Sequence, residues 1–372
     1  MRTRDSVLVY RETQASDAST KTIDLDLVDP VSALYLEFEA VNGTTSNEDN
    51  FISDVVTKIE IVDGSEVLAS LRMNQLEALH FYKLGKSPVL FPSEWGAGAQ
   101  RHGAYLLFGR KLWDQEFAIN LLQFKNPQLK ITWNLAAVTP VSATTAFATG
   151  TFKLTVVAKV MEEFASPGKY LMPKELESFT SSSSSGAEER KELPTDYPYR
   201  MLMTRHYLEG YDPLEITSDL KLTADADKYI AFNRKLRQLD AEALSRFGEI
   251  VLTHNIYRAT GGVIRGLCQM ETQFEFKPNT STQFTVFVHT LNFSGNVTLE
   301  TLDRAGTTAG TRLYWGTEKG HSLHATVPIL FGDPDRPETW FNPTAYKKLE
   351  LIFTSGGNAG TVQIVSEQVR PN

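Results

Sequence analysis

Four landmarks recur in the same order in the two halves of this 372-residue chain. Lys58-Ile59-Glu60-Ile61 answers to Asp219-Leu220-Lys221-Leu222. Each is followed by a further apolar run and then by a Gln-Leu segment at helical spacing, Gln75–Leu84 before Gly85 and Gln238–Phe247 before Gly248. Glycine is a natural helix stop. Phe124-Lys125-Asn126-Pro127 before Leu129–Trp133 is matched with Phe341-Asn342-Pro343, a short insertion and Leu349–Phe353. Last, Gly150-Thr151 opens Phe152–Val156, and Gly360-Thr361 opens Val362–Val365. A period of half the chain is too long for a solenoid and predicts two domains of one design.

That design is β. Phe152, Leu154, Val156, Ala158 and Val160 alternate with Thr151, Lys153, Thr155, Val157 and Lys159, the period of a strand with one buried face. Ile59 and Ile61 before Asp63-Gly64, with Val67, Ala69 and Leu71 after it, predict a hairpin with a type I′ turn. Further strands are expected at Ile23–Leu27, Leu34–Ala40, Tyr105–Phe108, Leu129–Leu135, Phe284–Leu291, Val297–Leu302, His324–Leu330 and Leu349–Phe353. Their short spacing suits a sandwich or barrel rather than βαβ units. Helices are few: Asn74–Leu84, Leu236–Phe247 and a short one over Pro173–Phe179 with proline in its first turn. The expected fold is all-β, two tandem eight-stranded jelly rolls (β-sandwiches), each with a short inserted helix. The serine run Thr180–Gly186 lies at the midpoint and reads as a flexible connector. The expected division is residues 1–165 for the first jelly roll, 166–200 for a Ser/Pro-rich linker and 201–372 for the second, with larger inserted loops.

Two such domains in tandem resemble the double jelly-roll major capsid proteins of tailless icosahedral viruses, the adenovirus-like lineage. The resemblance rests on the paired helices Gln75–Leu84 and Gln238–Phe247, the paired Asn-Pro turns and the paired Gly-Thr strands. It implies a virion protein made in the host cytoplasm. Three chains would form a pseudo-hexagonal homotrimer that joins neighbouring capsomers and minor capsid proteins. The base of such a capsomer faces an internal membrane or genome. The chain is short for the family, which points to a virus of bacteria or archaea.

Composition agrees with a structural role. Lys+Arg number 37 against 45 Asp+Glu, a net charge of −8, which argues against attraction to nucleic acid and for no specific nucleic-acid partner. Arg234-Lys235-Leu236-Arg237, Arg101-His102 and Arg110-Lys111, the last near Tyr105 and Trp113, are expected to be solvated faces. The single cysteine, Cys268, excludes an intramolecular disulfide and reads as a buried thiol. Val7–Tyr10 is too short for a signal-peptide core, so a soluble chain folding in a reducing cytosol is expected. The glycosylation patterns at Asn42, Asn279, Asn292 and Asn296 then read as chance.

No catalytic, cofactor or metal site is predicted. No Gly-x-Ser-x-Gly, Walker loop or His-Glu-x-x-His occurs among the residues. His321 and His324, two of seven histidines, sit three apart on an apparent strand, where an odd spacing points them to opposite faces. Asp24 and Asp26 alternate with Ile23, Leu25 and Leu27 as the solvent face of a strand. Asp333, Asp335 and Glu338 suit a Pro-rigidified turn better than a calcium site, which needs about six oxygens or more. Trp95, Trp315 and Trp340 lie near Gly or Pro in apparent loops, as interface anchors or as caps of their own domains. The competing functional reading is a carbohydrate-binding or glycan-cleaving protein on paired β-sandwiches, with carboxylates or aromatics converging in a groove.

Overall fold

Hydrophobic alternation and turn residues produce strands throughout. The computed structural model describes residues 1–43, 47, 50–93, 96–138, 146–258, 262–278, 284–292, 295–303 and 312–372. The first half runs β1 (Arg2–Thr13), β2 (Ala18–Asp24), β3 (Val31–Val41), the one-turn helix α1 (Ile52–Val55), β4 (Val56–Asp63), β5 (Glu66–Leu71), α2 (Met73–Leu84), β6 (Val89–Phe91), β7 (Ala99–Leu107), β8 (Pro127–Asn134) and β9 (Lys153–Glu162). The second begins with β10 (Lys169–Thr180), β11 (Glu188–Leu193), β12 (Tyr199–Tyr207), α3 (Pro213–Ile216), β13 (Thr217–Ala224), β14 (Tyr229–Lys235) and α4 (Leu236–Phe247). It then inserts β15 (Ile250–Arg258), β16 (Gly262–Arg265), β17 (Cys268–Pro278), β18 (Phe284–Asn292), β19 (Asn296–Asp303) and β20 (Arg312–Leu323) before closing with β21 (Thr326–Leu330), β22 (Leu349–Ser355) and β23 (Thr361–Pro371).

Strand order shows the duplication directly. In the first half β1-β9-β3-β7 faces β2-β8-β4-β5; in the second β10-β23-β12-β21 faces β11-β22-β13-β14. Each is the eight-stranded jelly-roll pairing, with a twelve-residue helix after the fifth strand. The repeat extends to register. Arg2 to Val7 pair with Glu162 to Val157, the ladder slips past Leu8, and Val9 meets Val156. Tyr170 to Glu175 pair with Arg370 to Val365, the ladder slips past Leu176, and Glu177 meets Ile364. A second shared bulge separates Val31 from Ala33 and Tyr199 from Met201. The expected extra material in the second half is β15–β20, paired as β15-β20-β17 and β16-β19-β18.

Both long helices end on the glycines the sequence marks, with Gly85 at φ 62° and Gly248 at φ 75°. Each half has its own apolar core between its sheets. Leu36, Phe38, Ile59, Ile61, Phe152 and Val156 belong to the first, and Leu202, Leu220, Leu222, Leu351, Phe353 and Ile364 to the second. Met201, Met203 and Val365 face the other way and join the first core with α2.

Five expectations change. Pro173–Phe179 is not a helix: it lies in β10, which pairs with β23 along its length, and long-range pairing overrides the local proline signal. Residues 166–200 are not a free linker, because they contain β10 and β11. The serine run between those strands is pinned: Ser181 N donates to Gly360 O at 2.9 Å, Ser355 Oγ to Ser182 O at 2.6 Å and Gly186 N to Ser355 O at 2.9 Å. Small hydroxyls serve a tight turn by bonding nearby backbone. The β4–β5 hairpin forms, but its turn residues are Gly64 and Ser65 and only Gly64 has positive φ (61°), as a type II′ turn requires. Finally, the Asn-Pro turns are not counterparts: Pro127 opens β8, whereas Phe341 bridges Tyr199 as Ile119 bridges Val31. The Gly-Thr pairs are likewise two residues out of step, since Thr13 meets Lys153 where Thr180 meets Thr361.

Candidate functional site

The most ordered polar chemistry lies where α2 of the first half meets the sheet of the second. Arg72 precedes the helix, and its N–H is capped by Gln75 Oε1 at 3.0 Å. Arg72 Nε and Gln75 Nε2 both donate to Glu175 of β10, at 2.8 and 2.5 Å, and Gln75 Nε2 also reaches Gln363 of β23 at 3.0 Å. Two residues on, Glu77 is fully buried between His102 of β7 (3.0 Å) and His324 in the turn after β20. Lys83 meets Glu367 of β23, which also accepts Arg200 Nη1 at 2.6 Å, and Tyr82 Oη donates to Thr326 O at 2.8 Å.

The electrostatics follow from burial against pairing. Burial favours a neutral Glu77, but the adjacent imidazoles His102 and His324 outweigh it and hold the carboxyl below the usual range. Glu367 is lowered against the same penalty by Lys83 and Arg200. Burial brings Lys83 down to about 8, opposed by Glu367. His80, which accepts from Tyr105 N at 2.9 Å, is pushed down to about 4 by burial.

A second set joins α4 to the inserted strands. His321 Nδ1 and Ser322 Oγ bond Asp240 Oδ1 at 3.0 and 2.6 Å. Burial would lower His321, but Asp240 raises it above its ordinary value. Glu318 accepts from His254 Nε2 (2.6 Å), Leu267 N (3.0 Å) and Cys268 N (2.5 Å). The carboxylates are spent on these partners, so the arrangement clamps elements together. Among the described residues no cluster of three or more His, Cys, Asp or Glu is arranged to hold a metal ion.

The singled-out residues fall as follows. His321 and His324 are buried, and they turn to different helices, α4 and α2. Sequence alone missed both partners, because Glu77 and Asp240 sit on helices that read as ordinary. Cys268 is buried, and burial drives its thiol well above its usual pKa. Asp24 and Asp26 are exposed, with Asp24 bonding Gln128 Nε2 at 2.8 Å. Asp333 Oδ1 accepts from Asp335 N at 3.0 Å in a local turn. Trp340 is buried against Phe117 and Leu171 and donates to Asp333 O at 2.9 Å; it seals contacts within the chain. Trp315 lies in β20, and Trp95 lies outside the described residues. Arg234 pairs with Glu242 at 2.6 Å, Arg110 with Asp114 at 2.7 Å, and Arg101 lies 4.6 Å over the Phe91 ring, so these basic groups are engaged within the chain. Asn42 is buried and donates to Ser93 O at 2.5 Å, which suits the chance reading of its glycosylation pattern.

A cleft of about 480 Å³ opens between β14, α4 and the 328–346 segment. Tyr229 stacks on Tyr346 at 5.2 Å, and Phe331 on Phe341 at 5.3 Å, along its wall. Its one lining carboxylate among the described residues, Glu242, is the partner of Arg234. Among the described residues no helix is long and apolar enough to cross a membrane.

The fold is a double jelly roll, and comparison with solved structures finds it over nearly the whole chain. The STIV MCP matches with a TM-score of 0.63 at 9% identity, covering 99% of this chain and 97% of that one. The PBCV-1 virus capsid matches at 0.56 and 10%, covering 99% and 93%. The major capsid protein P2 from bacteriophage PM2 matches at 0.55 and 10%, covering 100% and 98%. No family model matches the sequence, and neither does any curated protein.

Proposed function

We propose that this chain is a structural virion protein, a major capsid subunit that self-assembles as a pseudo-hexameric homotrimer into an icosahedral shell. The observation that carries the reading is the doubled jelly roll with one shared register, a fold it has in common with solved capsid proteins. We read the two units as dividing between β9 and β10. The role is assembly without catalysis or cofactor. Its partners are further copies, neighbouring capsomers, minor capsid proteins and an internal membrane, and its place is the virion after synthesis in the host cytoplasm. The glycan-binding alternative gains no support from the cleft, where the carboxylate is already paired. Native mass spectrometry and electron microscopy of the purified chain at high concentration test the proposal. Trimers that build larger shells are expected, and a chain that stays monomeric would overturn it.

A further inference from the structure

The two halves meet head to tail. β5 lies parallel to β10 through the pair Ser70↔Lys174, and α2 rests on the sheet that contains β10, β23 and β12. The cover is visible in burial. Ten of the twelve α2 residues are buried, and so are eight of the nine in β12, which has no solvent face.

Among the described residues the counterpart surfaces have no cover. β14, the counterpart of β5, ends its sheet, and β1, the counterpart of β10, ends its own. α4 buries four of its twelve residues, and β3, the counterpart of β12, alternates between buried and half-buried along most of its length. The local chemistry is nevertheless the same. Gln238 caps Lys235 N at 3.1 Å as Gln75 caps Arg72 N, but Gln238 and Lys235 are exposed where Gln75 and Arg72 hold Glu175.

A head-to-tail contact between like units leaves one unused half at each end, and rotation closes such contacts into a ring. We propose that β14 and the outer face of α4 dock on β1 and the outer face of the β1-β9-β3 sheet of a second copy, repeating the way β5 and α2 sit on the second half within one chain. The inference rests on the assembly reading above and names the surfaces that carry it. Three chains supply six jelly rolls to one ring. Register sets the contact. Asn233 stands opposite Lys221 as Ser70 stands opposite Glu60, and Ser6 stands opposite Ala158 as Lys174 stands opposite Ser366. Asn233 of one copy therefore meets Ser6 of the next. Exposed apolar side chains lie along both edges, Ile230 at 48% and Val7 at 58% exposure.

The test uses full-length chains, one carrying Ser6→Cys and one Asn233→Cys. Neighbouring strands lie ~4.8 Å apart, within disulfide reach, and the native Cys268 is buried. Oxidising the mixture is expected to give a disulfide-linked heterodimer, neither variant alone to give a homodimer, and a chain carrying both substitutions to give covalent trimers. Ile230→Lys is expected to weaken association at least tenfold while the circular dichroism spectrum stays that of the folded wild type. Wild-type trimers without the 6–233 crosslink would overturn this interface and leave the assembly reading standing. A monomeric wild type would overturn both.

Discussion

His324 bonds Glu77 across 247 residues of sequence, so a turn in the second half is fastened to a helix in the first. Both side chains are fully shielded from water. Glu77 takes His102 on its other oxygen, and one carboxylate thereby ties α2, β7 and the β20–β21 turn together.

Removing that charge should be costly. Breaking one partner out of a buried ionic set typically costs about 3–5 kcal/mol, because the remaining groups keep their desolvation penalty. Glu77→Ala is expected to lose stability of that order, and Glu77→Gln somewhat less. Urea unfolding of purified chain measures it; a loss below about 1 kcal/mol, the range of exposed pairs, would contradict a clamp role.

Acid should act through the same groups. Glu77, Glu367 and Asp54 are all held below the ordinary carboxylate range in the folded state. Their contribution is therefore present above the unfolded value of about 4.3 for Glu and 3.9 for Asp, and is lost as pH falls through the folded value. Thermal midpoints should drop steeply below about pH 4, with a shallower drop in Glu77→Gln.

The Asp240–His321 pair should behave in the opposite sense. His321 is raised, so its contribution is complete below the unfolded value of about 6.5 and disappears as pH rises through the folded value. Asp240→Asn is expected to destabilise the chain more at about pH 6 than at about pH 9. Equal losses at both would exclude a charged pair.

Gly109 leaves no room for a side chain. A Cβ there would lie 2.6 Å from Asp114 Cβ and 2.8 Å from Phe117 O. Asp114 is fixed by two bonds to Arg110, at 2.7 and 2.9 Å, and cannot retreat. Gly109→Ala should cost about 1–3 kcal/mol, the usual range for overpacking.

Cys268 offers a probe of folding. Its burial and raised thiol pKa predict negligible reaction with an aromatic disulfide reagent in the native state and full reaction in denaturant. Rapid native labelling would place the thiol at the surface instead.

The sequence alternation made the strands legible, and the glycines made the helix ends legible. The halves matched in order, but the Asn-Pro and Gly-Thr landmarks slid. The two-residue slip at the Gly-Thr strands keeps every side chain on its own face, so the pattern of Val and Ile does not reveal it. The serine run misled because its anchors, Gly360 and Ser355, lie far along the chain. The buried carboxylates were invisible for a similar reason. Glu77 sits in a helix with no polar face, and what makes it structural is a pair of distant histidines.

Of the buried ions just described, Lys83 waits longest. Its counter-ion, Glu367, is made 284 residues later, on β23. While the polypeptide is still being synthesised, the ammonium of Lys83 and the carboxylate of Glu77 have no opposite charges from the second half to receive them. The N-terminal jelly roll therefore leaves the ribosome unfinished and depends on the last strand to mature.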